Sequence, residues 1–300
     1  MAKKVAVVAV GGNSLILDPK KVTVEDQYLA AAETSKHIAD MIEAGWDVAV
    51  GHGNGPQVGF ILRRSEIAAK TEGMHEVPLD VCGADSQGAI GYALQQTLQN
   101  ELIQRGIKKS VATVVTQVKV DKNDKAFQNP TKPIGGFMEE DDAKRREKEL
   151  GWNVVEDAGR GWRRVVASPI PKEVVEIEAV KELLRAGTVV ITVGGGGIPV
   201  VDDGKGGCVG AAAVIDKDFA SSLLSQEINA DLFVISTAVE KIAINYGKPD
   251  QKWIDKMTVA EAKKYIEEGH FAKGSLLPKV QAIIWFLENG GKQALVTDPP

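Results

Sequence analysis

The sequence predicts an α/β protein: a three-layer α/β/α sandwich on an open, mainly parallel sheet, with a subdomain protruding from it. Three observations lead there. Residues 5–10, 47–50 and 188–193 are apolar or β-branched runs without sustained polar alternation, the pattern of strands buried on both faces. Stretches of helical periodicity with start and stop signals separate such runs, and helices alternating with buried strands cover both faces of one sheet. Residues 121–168 interrupt that rhythm with turn chemistry and a charged run, the texture of an inserted segment.

Taken in order, Val5–Val10 is the first strand. Thr23 opens a helix, and Asp26 three positions on completes a capping-box pattern. Tyr28, Ala31, Ala32, Ile38, Met41 and Ile42 recur at helical spacing, and Gly45 stops the run. The second strand, 47–50, runs into Gly-His-Gly-Asn-Gly-Pro, where Pro56 suits the first turn of the next helix. Residues 85–105 read as a long helix closed by Gly106, with Gly88 and Gly91 on one face. Close packing against a strand would explain that pair, and so would backbone access for a ligand. Residues 111–118 read as the third strand.

In the inserted segment, 129–133 and Gly135-Gly136 are turn sequence, and 139–149 is a solvated, charged helix. Residues 152–155 and Trp162–Val166 flank a Gly-rich turn as a hairpin. A helix ending at Gly187 leads into the strand 188–193, on which the chain is organised. Residues 216–228 form a helix with Phe219, Leu223, Leu224 and Ile228 on one face. Leu232–Ser236 is a strand and 242–246 another. Thr258 with Glu261 caps a helix stopped by Gly269. Residues 279–289 are the last helix and Gln293–Thr297 the last strand.

Composition narrows the function. Hydrophobic content is 44% and aromatic content 5%, so the core is aliphatic, which suits a parallel sheet. A net charge of −5 argues against a nucleic-acid or membrane surface, so any phosphate site must be locally basic. Cys82 and Cys208 form no C-x-x-C pair and point to a reducing compartment. The four histidines, His37, His52, His75 and His270, show no metal-ligand spacing. No signal peptide is visible, and no apolar run approaches the roughly 20 residues that span a bilayer. A soluble, cytoplasmic protein is the expectation.

Each of the three buried runs delivers a Gly/Asn loop: Gly11-Gly12-Asn13, Gly-His-Gly-Asn-Gly at 51–55, and four glycines at 194–197. Glycine weakens regular structure, so four in a row need a reason. An anion supplies one, because a loop without Cβ atoms lets backbone amides converge on phosphate oxygens at the carboxyl end of a strand. A flexible turn is the plainer reading. Glycine loops position an anion without neutralising it, and phosphoryl transfer needs cations around the moving group. Three lysines stand out. Lys132 lies between two prolines, Lys217 sits in Ile-Asp-Lys-Asp-Phe at a helix start, and Lys279 follows Leu-Pro at another. A lysine at a helix start opposes the helix dipole, which hints at a bound anion, although each alone reads as solvated surface. No G-x-x-x-x-G-K-[ST], no G-x-G-x-x-G after the first strand and no nucleophile elbow is present.

Eight motifs resemble the carbamate kinases of the amino acid kinase family, in order and over nearly the whole chain. They are Val-Gly-Gly-Asn-Ser (10–14), Gly-His-Gly-Asn-Gly-Pro-Gln-Val-Gly (51–59), Gln-Asn-Pro-Thr-Lys-Pro-Ile-Gly (128–135) and Glu-Asp-Ala-Gly-Arg-Gly (156–161). The others are Gly-Gly-Gly-Gly-Ile-Pro-Val (194–200), Ile-Asp-Lys-Asp-Phe-Ala (215–220), Asn-Tyr-Gly-Lys-Pro (245–249) and Leu-Pro-Lys-Val (277–280). The resemblance implies a single amino-acid-kinase domain over 1–300 with the subdomain inserted at 121–168, and a homodimer. It implies reversible transfer between ATP and carbamate giving ADP and carbamoyl phosphate, usually running toward ATP at the end of arginine breakdown. The amino half would hold the carbamoyl side and residues 169–300 the nucleotide.

By the same resemblance Lys132, Lys217, Lys279 and Asp216 are the catalytic set. Gly11, Gly12, Asn13, Gly53, Asn54, Gly55, Gly195 and Gly196 would bind carbamate and phosphate. Lys217, Thr237, Ala238, Val239, Tyr246, Leu276 and Lys279 would bind the nucleotide, which carries Mg²⁺ in with it. Asp216 either orients Lys217 or contacts the metal through water. Two departures stand out. Many amino acid kinases place a lysine two residues before the first Gly-Gly, where this chain has Ala9, and in carbamate kinases a subdomain lysine takes over, here Lys132. The sequence also stops at Asp298-Pro-Pro, where similar proteins continue through a short helix and strand. Another carboxylate acceptor and a non-catalytic nucleotide sensor are the rival readings, and the presence of all three lysines weighs against the sensor.

Overall fold

A computed structural model describes residues 4–11, 23–157, 159–237, 239–272 and 276–298. The amino-terminal part comprises β1 (Val5–Val10), α1 (Val24–Glu43), β2 (Asp47–His52), α2 (Gly55–Glu72), α3 (Leu79–Gln104), β3 (Val111–Thr113) and β4 (Gln117–Val120). Next come β5 (Lys132–Met138), α4 (Glu140–Leu150), β6 (Asn153–Glu156), β7 (Trp162–Val166) and β8 (Pro171–Val174). Then follow α5 (Ile177–Arg185), β9 (Val189–Ile191), β10 (Ile198–Asp202), β11 (Cys208–Gly210), α6 (Lys217–Glu227) and β12 (Leu232–Ser236). The chain closes with β13 (Ile242–Ile244), β14 (Lys252–Ile254), α7 (Val259–Glu267), α8 (Leu276–Glu288) and β15 (Gln293–Thr297).

The main sheet has the order β15-β12-β1-β2-β9-β3, and every pairing in it is parallel. Side-chain alternation sorts β1 between two cores. Val7 and Ala9 pack with α5, α6 and α8 on one face, while Val8 and Val10 pack with α1 and α3 on the other. That is why these strands read as unbroken apolar runs. Strand order reverses at β1, with β2 on one side and β12 on the other, so the crevice at their carboxyl ends is the place where such sheets bind ligands. Both capping boxes form, Thr23 with Asp26 and Thr258 with Glu261.

Several local expectations are corrected. The strand ahead of the four glycines lies fifth of six in the sheet, next to one edge. The run 111–118 is two strands in two sheets. Thr113 pairs with Ile191 in the main sheet, whereas Gln117 pairs with Ile198 in a second sheet of order β11-β10-β4-β8. The switch is made at Thr116, whose amide donates to Gln87 Oε1 (2.8 Å) and whose carbonyl accepts from Gln87 Nε2 (3.0 Å). One α3 side chain thus replaces a ladder partner, and hydropathy cannot report that. The Pro- and Gly-rich stretch at 128–136 is not all turn: β5 starts at Lys132 and pairs antiparallel with β7 in the sheet β5-β7-β6. Helix α3 starts at Leu79, not 85, and α8 at Leu276, which makes Lys279 its fourth residue. The strand expected at 242–246 ends at Ile244 and belongs to a separate hairpin with β14. Strands β8, β10, β11 and β14 were not foreseen.

Gly91 is a close-packing glycine, since a Cβ there would lie 2.4 Å from Thr113 Cγ2, while Gly88 faces open space. Strand β15 ends the main sheet, and a groove of about 520 Å³, lined by none of the three lysines, runs beside it between α8 and the β13–β14 hairpin. Among the described residues no helix is long and apolar enough to cross a membrane.

Candidate active site

After β9 the chain turns left-handed at Val193 (φ 45°), and each of the four glycines meets a different neighbour. A Cβ at 194 would lie 2.4 Å from His52 Nε2, and one at 195 would lie 2.3 Å from Asn54 Nδ2. At 196 it would lie 2.3 Å from the Ile215 carbonyl oxygen, and at 197, 2.2 Å from Val118 Cγ2. Gly195, Gly196 and Gly197 also have φ of 65°, 94° and 84°. The run of glycines is therefore first a packing requirement. It lets the β2 loop, the second sheet and the backbone just before Asp216 close on one another.

Several amides expected to face an anion are used inside the protein. Gly11 N donates to Ser236 O (3.1 Å), Gly53 N to Val10 O (3.0 Å) and Gly196 N to Val193 O (3.0 Å). These bonds continue the sheet ladder or close the loop, so those three amides are engaged within the protein. Among the described residues the amides of Asn54, Gly55 and Gly195 have no backbone acceptor. Asn54 is the N-cap residue of the 18-residue α2 without capping it by side chain, and its Nδ2 donates to Ser86 Oγ instead (2.8 Å). Among the described residues no N-cap side chain caps the positive end of α2. Gly12, Asn13 and Ala238 lie outside the described residues.

The three lysines converge on one short stretch. Lys132 Nζ lies 2.5 Å from Asp216 Oδ2. Lys217 and Lys279 both pair with Asp218, Lys279 at 2.9 Å from Oδ2 and Lys217 on Oδ1. Asp216 is the N-cap of α6, and its Oδ1 accepts from Asp218 N (2.9 Å). Asp216 therefore orients Lys132 and the helix start, whereas Lys217 is oriented by Asp218. Asp218 is 2% exposed, and it was missed because an acid in a helix's first turn reads as ordinary dipole compensation. A lysine flanked by two acids was the available signal.

Lys132 reaches this stretch through packing. Opposite it in the ladder is Val166 on β7; the next residue, Ala167, accepts from Val214 N (2.9 Å), two residues before Asp216. Ile134 and Val166 are buried with Val58, Leu62, Leu79, Cys82 and Val214. Gly59 on α2 and Gly135 on β5 touch, since a Cβ on Gly59 would lie 2.2 Å from Gly135 Cα. The subdomain is thereby seated on α2 and α3.

The remaining expected residues sit at the carboxyl end of β12 (Thr237 and Val239), at the start of α8 (half-buried Leu276) and on the β13–β14 loop. There Tyr246 is exposed and stands edge-on to Trp253, with ring centroids 6.1 Å apart.

The sequence profile of the Amino acid kinase family matches residues 4–298. The chain belongs to the amino acid kinase family. It is 51% identical to a carbamate kinase of Thermococcus kodakarensis, over 98% of this chain and 93% of that protein. It is 54% identical to a carbamate kinase-like protein of Escherichia coli, over 99% and 94%. The solved carbamate kinase of Giardia lamblia bound to AMP-PNP superposes with a TM-score of 0.90 at 40% identity, covering 99% of this chain and 94% of that one.

The electrostatics suit an amino acid kinase, an ATP-dependent phosphotransferase. Burial alone would raise the Asp216 carboxyl, but the Lys132 ammonium against it, with Lys217 nearby, holds it well below the usual carboxylate range. Burial pushes the Lys217 ammonium below its ordinary value; Asp218 opposes that, and the neighbouring Lys279 charge adds to it. Three cations against two carboxylates leave a local positive excess in a chain of net charge −5, which is the polarity a phosphate group requires. His52 is fully buried and neutral, its value pushed down to about 4 by burial, and its Nδ1 donates to Gly53 O (3.0 Å). It belongs to the loop packing beneath the site.

Proposed function

We propose that this kinase acts on carbamate, transferring a phosphoryl group reversibly between ATP and carbamate to give ADP and carbamoyl phosphate. The observation that carries the reading is the Lys132–Asp216 pair. With Ala9 on β1 the first strand brings no cation, and the subdomain supplies one instead, beside Lys217 and Lys279. Relatives with carbamate kinase in their names, about 50% identical over nearly the full chain, support the acceptor. The same reading takes the amino half as the carbamoyl side and residues 169–300 as the nucleotide side. It takes the enzyme to be a cytoplasmic homodimer running toward ATP in arginine catabolism.

The chemistry asks for little beyond charge. A carbamate oxygen is already anionic, so it attacks the γ-phosphorus without a general base. The new O–P bond forms as the bond to the β-phosphate bridging oxygen breaks, and ADP leaves. Lys217 and Lys279, held by Asp218, neutralise the nucleotide phosphates. Lys132, held by Asp216, meets the transferring group from the acceptor side, and the Gly195 amide and the α2 N-terminus add fixed dipoles. Mg²⁺ would come with the nucleotide and neutralise phosphate charge when bound. Asp216 and Asp218 are the carboxylates of this cluster, and both are already engaged by lysines, which fits an ion held mainly by phosphates.

ADP formation with carbamate, run in reverse with carbamoyl phosphate and ADP, tests the reaction. Acetylglutamate or another carboxylate turned over better than carbamate would overturn the acceptor. Calorimetry with Lys217→Ala and Lys279→Ala should show weakened ADP binding, and unchanged affinity in both would remove them from the nucleotide site.

A further inference from the structure

The corner between α7 and α8 holds a histidine whose two ring nitrogens both face acceptors. His270 Nδ1 lies 2.8 Å from Asn245 Oδ1, and His270 Nε2 lies 3.0 Å from Glu268 Oε2. The Asn245 amide is held in that orientation, because its Nδ2 donates to Asp250 Oδ2 at 2.6 Å and a carboxylate only accepts. A neutral imidazole has one N–H and can satisfy one of the two partners. The doubly protonated ring satisfies both. The side chain is 19% exposed and stands edge-on to Tyr265, with centroids 5.5 Å apart.

These contacts join two parts of the expected nucleotide site. Asn245 has φ 52°, left-handed for a non-glycine residue, and opens the β13–β14 loop in which Tyr246 follows it. The loop is closed by Lys248 N donating to Asn245 O (3.0 Å) and Gly247 N to Gln251 Oε1 (2.8 Å). On the other side of His270, Phe271 is buried among α7 and α8, and Ala272 O accepts from Leu277 N (3.1 Å) in the first turn of the helix that carries Lys279.

We propose that His270 is a positioning residue for nucleotide binding: as an imidazolium it ties the loop at 245–250 to the α7–α8 corner and so keeps Tyr246 in a fixed relation to Lys279. This deepens the nucleotide-site reading given above and rests on it. The charged and titratable groups around the ring are Tyr265 from α7, Glu268 just after that helix, Asp250 through Asn245, and Lys264, which lies 3.8 Å from Glu268 Oε1. Loss of one ring proton removes one of the two contacts, and the loop loosens.

The experiment measures KM for ADP and kcat at one fixed pH. It uses wild type, His270→Ala, His270→Gln and Tyr246→Ala, with ¹⁵N NMR of the imidazole in nucleotide-free protein. The wild-type ring should be protonated on both nitrogens. KM for ADP should be roughly tenfold higher in His270→Ala than in wild type, the scale of one hydrogen bond to a charged group, with kcat nearly constant. His270→Gln, whose amide cannot donate to both acceptors from the two ring positions, should show the same raised KM. KM for carbamoyl phosphate should not change in either variant. Wild-type ADP kinetics in His270→Ala, together with weakened ADP binding in Tyr246→Ala, would overturn the role of His270 and leave the loop as a nucleotide contact. Unchanged ADP kinetics in both would overturn the nucleotide reading of the loop and the proposal with it. A singly protonated ring would overturn the imidazolium bridge.

Discussion

Replacing Lys132 by alanine separates catalysis from folding at this site. The lysine side chain is 26% exposed and its partner Asp216 is 21% exposed, so the pair lies between a surface and a buried ion pair. Removing one member of a buried pair costs about 3–5 kcal/mol, and a surface pair contributes at most about 1. Lys132→Ala should therefore lose roughly 1–3 kcal/mol, more than the nearly neutral change expected of a solvated turn lysine. The pH dependence has a definite sign. Asp216 has a depressed folded value, so its contribution is present above the ordinary carboxylate range of about 4 and disappears as pH falls through the folded value. The stability gap between wild type and variant should shrink on the acid side. If Lys132 meets the transferring phosphoryl group, kcat should drop roughly 10²–10³-fold with ADP binding little changed. Denaturant unfolding, calorimetric ADP titration and a coupled assay read these separately. Adding Asp216→Asn should recover much of the stability loss and none of the activity. Near-normal kcat in Lys132→Ala would refute the catalytic role, and wild-type stability at neutral pH would refute the pairing argument.

Gly196→Ala places a methyl group 2.3 Å from the Ile215 carbonyl, whereas Gly187→Ala, at a similar φ of 84°, meets nothing within 4 Å. Both should lose about 1–2 kcal/mol to backbone strain, but only Gly196→Ala should also lose activity, by displacing Asp216; equal activities in a coupled assay would contradict this. Asp218→Asn leaves Lys217 and Lys279 facing each other without their anion, with an expected loss of about 3 kcal/mol. Because Asp218 raises and burial lowers the Lys217 value, that variant's alkaline activity limb should also move to lower pH in a pH–rate profile. His52, pushed down to about 4, binds no proton in the folded state at pH values where the unfolded chain does. Stability should thus fall as pH drops below about 6.5, by up to roughly 3 kcal/mol near the folded value, and His52→Gln should flatten that slope in denaturant titrations.

Much of this kinase is local and was legible in its sequence. Unbroken apolar runs announced strands buried on both faces, and Val7 and Val8 do face separate cores. Thr23 with Asp26 and Thr258 with Glu261 mark helix starts because a capping box is completed within four residues. The lysines could be nominated from helix starts and stiff turns, since those signals are also short-range. What tertiary structure alone decided is how these pieces meet. The glycines at 194–197 could be anion donors or turn residues in one dimension. In three, each admits a different neighbour, from His52 to the Ile215 carbonyl, and several loop amides are consumed by the ladder. Thr116 changes sheets because Gln87, 29 positions away, supplies its hydrogen bonds. Lys132 reaches Asp216 across 84 positions because Ile134 and Val166 are buried against α2 and α3 and Ala167 is stitched to Val214. Propensity, capping and hydropathy act over a few residues and can be read along the chain. Close backbone approach and ion pairing depend on distances that exist only once the layers have packed.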